Sequence, residues 1–473
     1  MKFKSKLLIF LLAAIVFLLI DLSSTITPTA RVSSSNNSLP VSIRLTNSDS
    51  ENESFAKFDQ MVKGFLSSNG VKGASVAIAR DGKLLYAKGY GYANVEDKVE
   101  TEPYHIFRIA SASKLITAVA VMRLVDKGML SLESKVFGPE GVLTDSLYTS
   151  YLDSRIEEIT VKQLLNHSAG WTTRYGDQLF MHESIARQLG KELPITKDDI
   201  ITFAFSKRLH FSPGSRSSYN NLGYLFAERV IEKVAAQGYE QFVKEQIFSP
   251  LGIFDAYIAQ NFDSLRYSSE VRYYEVPEAK PVPAFDGSAQ ILLKARGGNN
   301  VRDLGGAGGW VISSVSLMKF ILALEDESQN SPLSAEVMEI LSQTEQGFQP
   351  IGWRAISPNK NKWRTGSFAG TSTLIMSRND GLRYVFITNT SPWQGAKFPH
   401  QIDRFMSSAF GRINEWPERN LFSQEEVVHQ TAIWPNFNIP YIESKVESLN
   451  EEEPNDEVNL SGSYFQSVVP ELE

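Results

Sequence analysis

"FRIASASKLITAVAVMRL", residues 107–124, places Ser111 three positions ahead of Lys114 and follows them with an apolar run. That run has the length and composition of a buried helix, and the residues before Ser111 are strand-like. Residues i and i+3 share a helix face, so the Lys114 amine can reach the Ser111 oxygen. A helix start also carries partial positive charge and free N–H groups, which favour an alkoxide-like nucleophile and an oxyanion beside it. The spacing by itself is common. It occurs four times, at Ser54/Lys57, Ser111/Lys114, Ser316/Lys319 and Ser357/Lys360. Ser357 precedes Pro358 in a polar loop, Ser54 borders a linker, and Ser316 falls inside an expected helix. Ser111 alone joins a strand-like run to a long apolar helix.

Working outward, a helical pattern begins near Phe55, with Phe58, Met61, Val62 and Phe65 at spacings of three and four. "GASVAIARDGKLLYAKGYGYAN", residues 73–94, alternates around Asp81-Gly82 and predicts a β-hairpin. Helical segments with polar loops run from Ser111 to about Val271. Residues 372–378 and 381–391 are strand-like, and residues 398–411 form a closing amphipathic helix. Strands at both ends with helices between them predict an α/β (α+β) fold. Its antiparallel sheet is flanked by helices and built from both chain ends, with a mostly helical second lobe inserted.

At about 150 residues per domain, 473 residues correspond to roughly three units. Composition is that of a globular protein, 42% apolar and 21% charged. A net charge of -7 argues against a nucleic-acid partner, which needs a concentrated basic face. The chain has no cysteine, which excludes disulfides, thiolate metal sites, a cysteine nucleophile and a lipid anchor on cysteine. Six histidines without an HExxH spacing argue against a metal enzyme. Lys2, Lys4 and Lys6 precede fourteen apolar residues, 7–20, which is the pattern of a secretory signal. That run is short for a membrane span of about 20 residues. "DLSSTITPTA" shows no clean cleavage site, so a cleaved signal and a retained anchor both stay open. In either case the body is expected outside the cytoplasmic membrane, in the periplasm or anchored to the membrane's outer face. The expected divisions are residues 1–30 as signal or anchor, 31–53 as linker, 54–412 as the catalytic body and 413–473 as an acidic tail.

A Ser/Lys pair needs further groups to move protons and hold substrate. Tyr-x-Asn occurs at Tyr92/Asn94, inside the hairpin, and at Tyr219/Asn221, after a Pro213-Gly214 turn and before a helix. Taken by itself, the second reads first as a helix cap at Asn221 with Tyr219 packed beside it. "KWRTGSFAGTSTLIMS", residues 362–377, holds the one Thr-Gly of the chain, preceded by Arg364. A cation, the Thr365 hydroxyl and the flexible Gly366 backbone beside a strand can hold a carboxylate and offer an N–H to an oxyanion.

In this order the three elements resemble the serine β-lactamase and penicillin-binding-protein superfamily. The nearer resemblance is to class C β-lactamases, D-alanyl-D-alanine carboxypeptidases and family VIII esterases, which carry Ser-x-x-Lys, Tyr-x-Asn and Lys/His-Thr-Gly. Tyr219-Asn220-Asn221 does not match the Ser-Asp-Asn of class A. The resemblance extends to "VKQLLNHSAGW" and "GAGGWVISSVSLMKFILAL" and spans about residues 56–412. It implies that Ser111 is an acylated nucleophile and that Lys114 and Tyr219 together form its base. Asn221 would hold Lys114 and a substrate amide carbonyl. The N–H groups of Ser111 and Ser367 would form the oxyanion hole, and Arg364 and Thr365 would receive a substrate carboxylate. No cofactor or metal is implied.

Two positions depart from the family pattern. Arg364 replaces Lys or His, and because arginine stays protonated, any proton transfer there is in doubt. Ala369 stands where proline is frequent. His167, at a helix-to-loop junction, and Gly308-Gly309 are read as structural. The function expected is a cell-envelope serine hydrolase acting on peptide, amide or ester bonds of a small or peptide substrate bearing a carboxylate. D-amino-acid peptidase or esterase ranks ahead of β-lactamase. A catalytically idle, penicillin-binding-like sensor or scaffold is the alternative.

Overall fold

A computed structural model describes residues 44–325 and 331–423. The signal or anchor at residues 1–30, with the apolar run 7–20, and the acidic end of the tail lie outside the described residues. The hairpin forms where the alternation and Asp81-Gly82 predict it, as β1 (Gly73–Arg80) and β2 (Lys83–Asn94). Then come β3 (Val99–Glu100), β4 (Ile106–Arg108), β5 (Tyr257–Ile258), β6 (Trp310–Ser313), β7 (Ala355–Ile356), β8 (Lys362–Phe368), β9 (Thr371–Ser377) and β10 (Leu382–Thr388). Among the described residues, seven of these make one antiparallel sheet in the order β7-β8-β9-β10-β1-β2-β3. The two chain ends meet where β1 pairs with β10, from Ala74 opposite Thr388 to Arg80 opposite Leu382.

Alternation along the strands sends side chains to opposite faces. Val76, Ile78, Leu374 and Phe386 meet two helices, α1 (Ala56–Ser68) through Phe58, Val62 and Leu66, and the closing helix through Phe398, Ile402 and Met406. Each such side chain contributes roughly 1.5–3 kcal/mol on full burial. Ala77, Ala79, Ile375, Val385 and Ile387 face the larger core of the second lobe. Its centre is α2 (Ser113–Asp126). Leu115, Ile116, Val119, Val121 and Met122 of α2 are all fully buried, as expected of a helix that is apolar all round. Around it lie α3 (Leu222–Ala235) and shorter helices at Val161–Leu165, His182–Leu189 and Lys197–Phe205. α4 (Ser314–Ala323) closes over the sheet, with Ser314 Oγ 2.7 Å from Ser75 Oγ. The closing helix is α5 (Phe398–Phe410).

The packed body runs past both expected boundaries, 54 and 412. Leu45 is fully buried, and Ser50, within the expected linker, exchanges hydrogen bonds with the Ala87 backbone at 2.6 and 2.8 Å. Beyond residue 412, the Leu421 N–H donates to Leu84 O at 2.8 Å and Arg419 Nε to Leu85 O at 3.1 Å. The polar composition of both segments hid a few apolar and backbone contacts that dock them on β2. A chain ending at 412 is therefore expected to melt lower than one ending at 423, by about 2 kcal/mol, the burial of Leu421 alone. Thermal denaturation of the two fragments checks this, and equal midpoints would show that the segment contributes nothing.

Candidate active site

β4 ends at Arg108, and the chain then turns sharply. Ala110 has φ of 47°, a left-handed conformation that L residues rarely adopt outside over-determined sites. Ala110–Ala112 forms a 3₁₀ turn, and α2 begins only at Ser113. Ser111 therefore sits just ahead of the helix, with Lys114 in its first turn. The edge of β8 faces this turn, because β7 pairs only with Lys362 and Trp363. A Cβ on Gly366 would lie 2.1 Å from Ile109 O and 3.0 Å from Ser111 N, so glycine is what lets the strand abut the Ser111 backbone.

Ser111 Oγ lies 2.7 Å from Tyr219 Oη. Lys114 Nζ approaches Ser111 Oγ at 3.4 Å and donates to Asn221 Oδ1 at 2.5 Å and to the Ala307 carbonyl. Tyr219 Oη is also 3.4 Å from Asn221 Oδ1. Asn221 stands at the N-cap of α3 but makes no cap bond, since its side chain is turned to Lys114. Of the other Tyr-x-Asn, Tyr92 and Asn94 lie on β2 in the hairpin.

The electrostatics bind these groups into one unit. Burial lowers Lys114 from the ordinary lysine value, and the Arg364 guanidinium lowers it further, while Tyr219 and Asp177 oppose both. Burial by itself would raise Tyr219. The Lys114 ammonium, the Arg364 guanidinium and hydrogen bonds from Lys114 and Ser111 outweigh it and bring the phenol below its ordinary value. A lysine and a tyrosine shifted toward each other share one titration, and the proton they exchange belongs to the pair.

Arg364 is not placed as its motif position implied. The residue is 1% exposed, Nε donates to Ser111 O at 2.9 Å, and its two Nη atoms have no hydrogen-bond partner among the described residues. It shares the inner face of β8 with Gly366, so it lies under the Ser111 turn and is closed to a carboxylate arriving from solvent. Thr365 and Ser367 alternate to the other face and are half-buried. His167, with φ of 62°, packs against the rings of Tyr219 and Tyr224 at 4.7 and 5.3 Å. Burial, with Arg364 and Lys114 nearby, holds His167 well below the ordinary histidine range, so it is a neutral support for Tyr219.

Three contributors escaped the sequence reading. The Ala307 carbonyl caps Lys114. Asp177 accepts a hydrogen bond from Asn221 Nδ2. Arg354 is exposed, with Cζ 5.7 Å from the centroid of the Tyr219 ring and Nη1 donating to Gln349 Oε1 at 2.8 Å. None belongs to a motif, and none has a spacing signal, because their partners are 193, 44 and 135 positions away. Among the described residues no three His, Asp or Glu side chains converge as a metal site requires.

This geometry is accompanied by clear relatedness. The chain belongs to the Beta-lactamase family, whose model matches residues 58–400. That match places it in the superfamily of serine β-lactamases and penicillin-binding proteins that its motifs resemble. It is 26% identical over 231 residues to protein flp of Staphylococcus aureus (strain MRSA252), which is 49% of this chain and 43% of flp. The chain thus spans less than half the length of that relative. The octameric penicillin-binding protein homologue from Pyrococcus abyssi has the same fold, with a TM-score of 0.57, 24% identity and 78% of each chain covered. D-amino acid amidase from Ochrobactrum anthropi SV3 aligns with a TM-score of 0.59 and 19% identity, over 76% of this chain and 99% of its own.

Proposed function

We propose that the protein is a cell-envelope serine hydrolase that cleaves amide, peptide or ester bonds of D-amino-acid substrates through an acyl-enzyme on Ser111. The observation that carries this reading is Ser111 Oγ 2.7 Å from the oxygen of a tyrosine whose pKa is lowered by two buried cations. As Ser111 Oγ bonds to the substrate carbonyl carbon, its proton passes to the Tyr219–Lys114 pair. The N–H groups of Ser111 and Ser367 receive the oxyanion. Collapse breaks the bond to the leaving amine or alcohol, which takes up that proton. Water then attacks the ester by the same route, its proton moving through the pair to Ser111 as the acid leaves. The D-amino acid amidase of like fold supports this substrate class. The basic, apolar N-terminus supports export.

The carboxylate-reading role expected of Arg364 passes to Arg354, which is exposed beside Tyr219. An exposed ion pair contributes about 0–1 kcal/mol and a charged hydrogen bond roughly 1.5–3 kcal/mol. A pair formed at the mouth of a cleft lies between these, about 1.4 kcal/mol, or tenfold. Arg354→Ala is expected to lower kcat/KM about tenfold on a D-alanyl-D-alanine peptide and hardly at all on its C-terminal methyl ester. Turnover of the pair by both proteins tests this, alongside nitrocefin and p-nitrophenyl esters. Nitrocefin hydrolysed faster than every D-amino-acid substrate would overturn the substrate class.

A further inference from the structure

We infer that Asp177 is the specificity residue for a free α-ammonium group on the acyl half of the substrate, and that the adjoining cleft takes an apolar side chain. This rests on the acyl-enzyme reading above and names its substrate class. Asn221 Nδ2 is the donor that, by family resemblance, would hold a substrate amide carbonyl. Here one of the two N–H groups of that amide is already engaged by Asp177, which sets a carboxylate beside the remaining one. A carboxylate at this position repels a carbonyl oxygen and attracts an N–H₃⁺ group.

The loop is built to present it. Gly176, with φ of 109°, turns the chain, and a Cβ there would meet Met181 Sδ at 2.4 Å. Asp177 Oδ1 accepts the Leu179 N–H at 3.2 Å and so starts the next turn. One lone pair on each carboxylate oxygen remains for a ligand. The residue is half-buried, and burial raises its carboxyl while Lys114 draws it down, so a cationic ligand would complete its charge balance. Elsewhere the charges at the site are positive, on Lys114, Arg364 and Arg354.

The same loop leads into a cleft of about 660 Å³. Its walls include Leu179 and Met181, just beyond Asp177, and Phe368 and Ala369, just beyond Ser367. Val282 and Phe285 close it, and Glu183, Arg187 and Lys294 stand exposed among its lining. Both walls therefore start at residues of the active site. A substrate whose ammonium meets Asp177 would direct its side chain between them.

The test uses D-phenylalanine p-nitroanilide and its N-acetyl derivative with the wild type and Asp177→Asn, which keeps size and one acceptor. Labelling of Ser111 by a fluorophosphonate serves as an independent count of competent sites. The wild type is expected to prefer the free amine by at least tenfold in kcat/KM. Asp177→Asn is expected to lose about 10- to 100-fold on the free amine and at least tenfold less on the acetylated substrate, with labelling retained. Equal losses on both substrates would make Asp177 only a positioning residue for Asn221 and overturn the inference. So would a wild-type preference for the acetylated substrate, or labelled Ser111 without turnover of the free amine. No labelling and no turnover at all would instead overturn the acyl-enzyme reading, and this inference with it.

Discussion

Ser111→Ala is expected to reduce kcat/KM on any substrate by about 10⁴-fold or more, the scale on which removal of a covalent nucleophile is measured. The residual rate would come from the oxyanion donors and from binding, which survive the substitution. Folding should be preserved, because among the described residues the Ser111 side chain bonds only to Tyr219 and Lys114, and its backbone contact to Arg364 does not involve the hydroxyl. The check is turnover together with fluorophosphonate labelling mapped by peptide mass spectrometry. Full turnover in the variant, or a label on Ser54, Ser316 or Ser357, would remove Ser111 from the mechanism. Ser316 is a poor competitor because it is buried on α4, where its N–H donates to Ser313 Oγ at 3.1 Å.

Tyr219→Phe is expected to lower kcat/KM by about 10²–10⁴-fold, the usual worth of a positioned general base. Phenylalanine keeps the ring that His167 supports, so the loss reports the oxygen. The base works only once the Tyr219–Lys114 pair has lost a proton, so activity falls as pH drops through the apparent pKa of the pair. The Arg364 guanidinium lowers both members, and removing it raises both. Arg364→Gln should therefore move the acid limb of the kcat/KM–pH profile to higher pH. The same variant should change the ratio of acidic to neutral substrates little, since the guanidinium is buried. A pH profile that stays in place while activity falls would assign Arg364 to holding the Ser111 carbonyl alone.

The elements that were legible in the sequence are those set by neighbours along the chain. The hairpin at Asp81-Gly82, α1 from its three- and four-residue apolar spacing, and the Ser111/Lys114 approach follow from strand alternation and helix periodicity, which act over a few residues. Tyr219 and Asn221 could be proposed on the same ground, being two positions apart. Whether Asn221 capped α3 or turned to Lys114 was undecidable until α2 lay beside it. The edges of the body were misplaced for a related reason. Ser, Thr and Asn dominate the segment before Phe55, and a polar composition does not reveal that Leu45 is buried or that Ser50 and Leu421 dock on β2.

By itself, then, the sequence determined the approach of Lys114 to Ser111 and the pairing of the chain's two ends into one sheet. Tertiary structure alone decided which groups surround them. It put Arg364 beneath Ser111 with its Nε on the Ser111 carbonyl, the Ala307 carbonyl on Lys114, Asp177 on Asn221, and Arg354 over Tyr219. Each of these contacts joins segments far apart in the chain, brought together by strand pairing and burial of the core. No backbone periodicity reaches across such distances, so the charge balance of the site arises from tertiary structure.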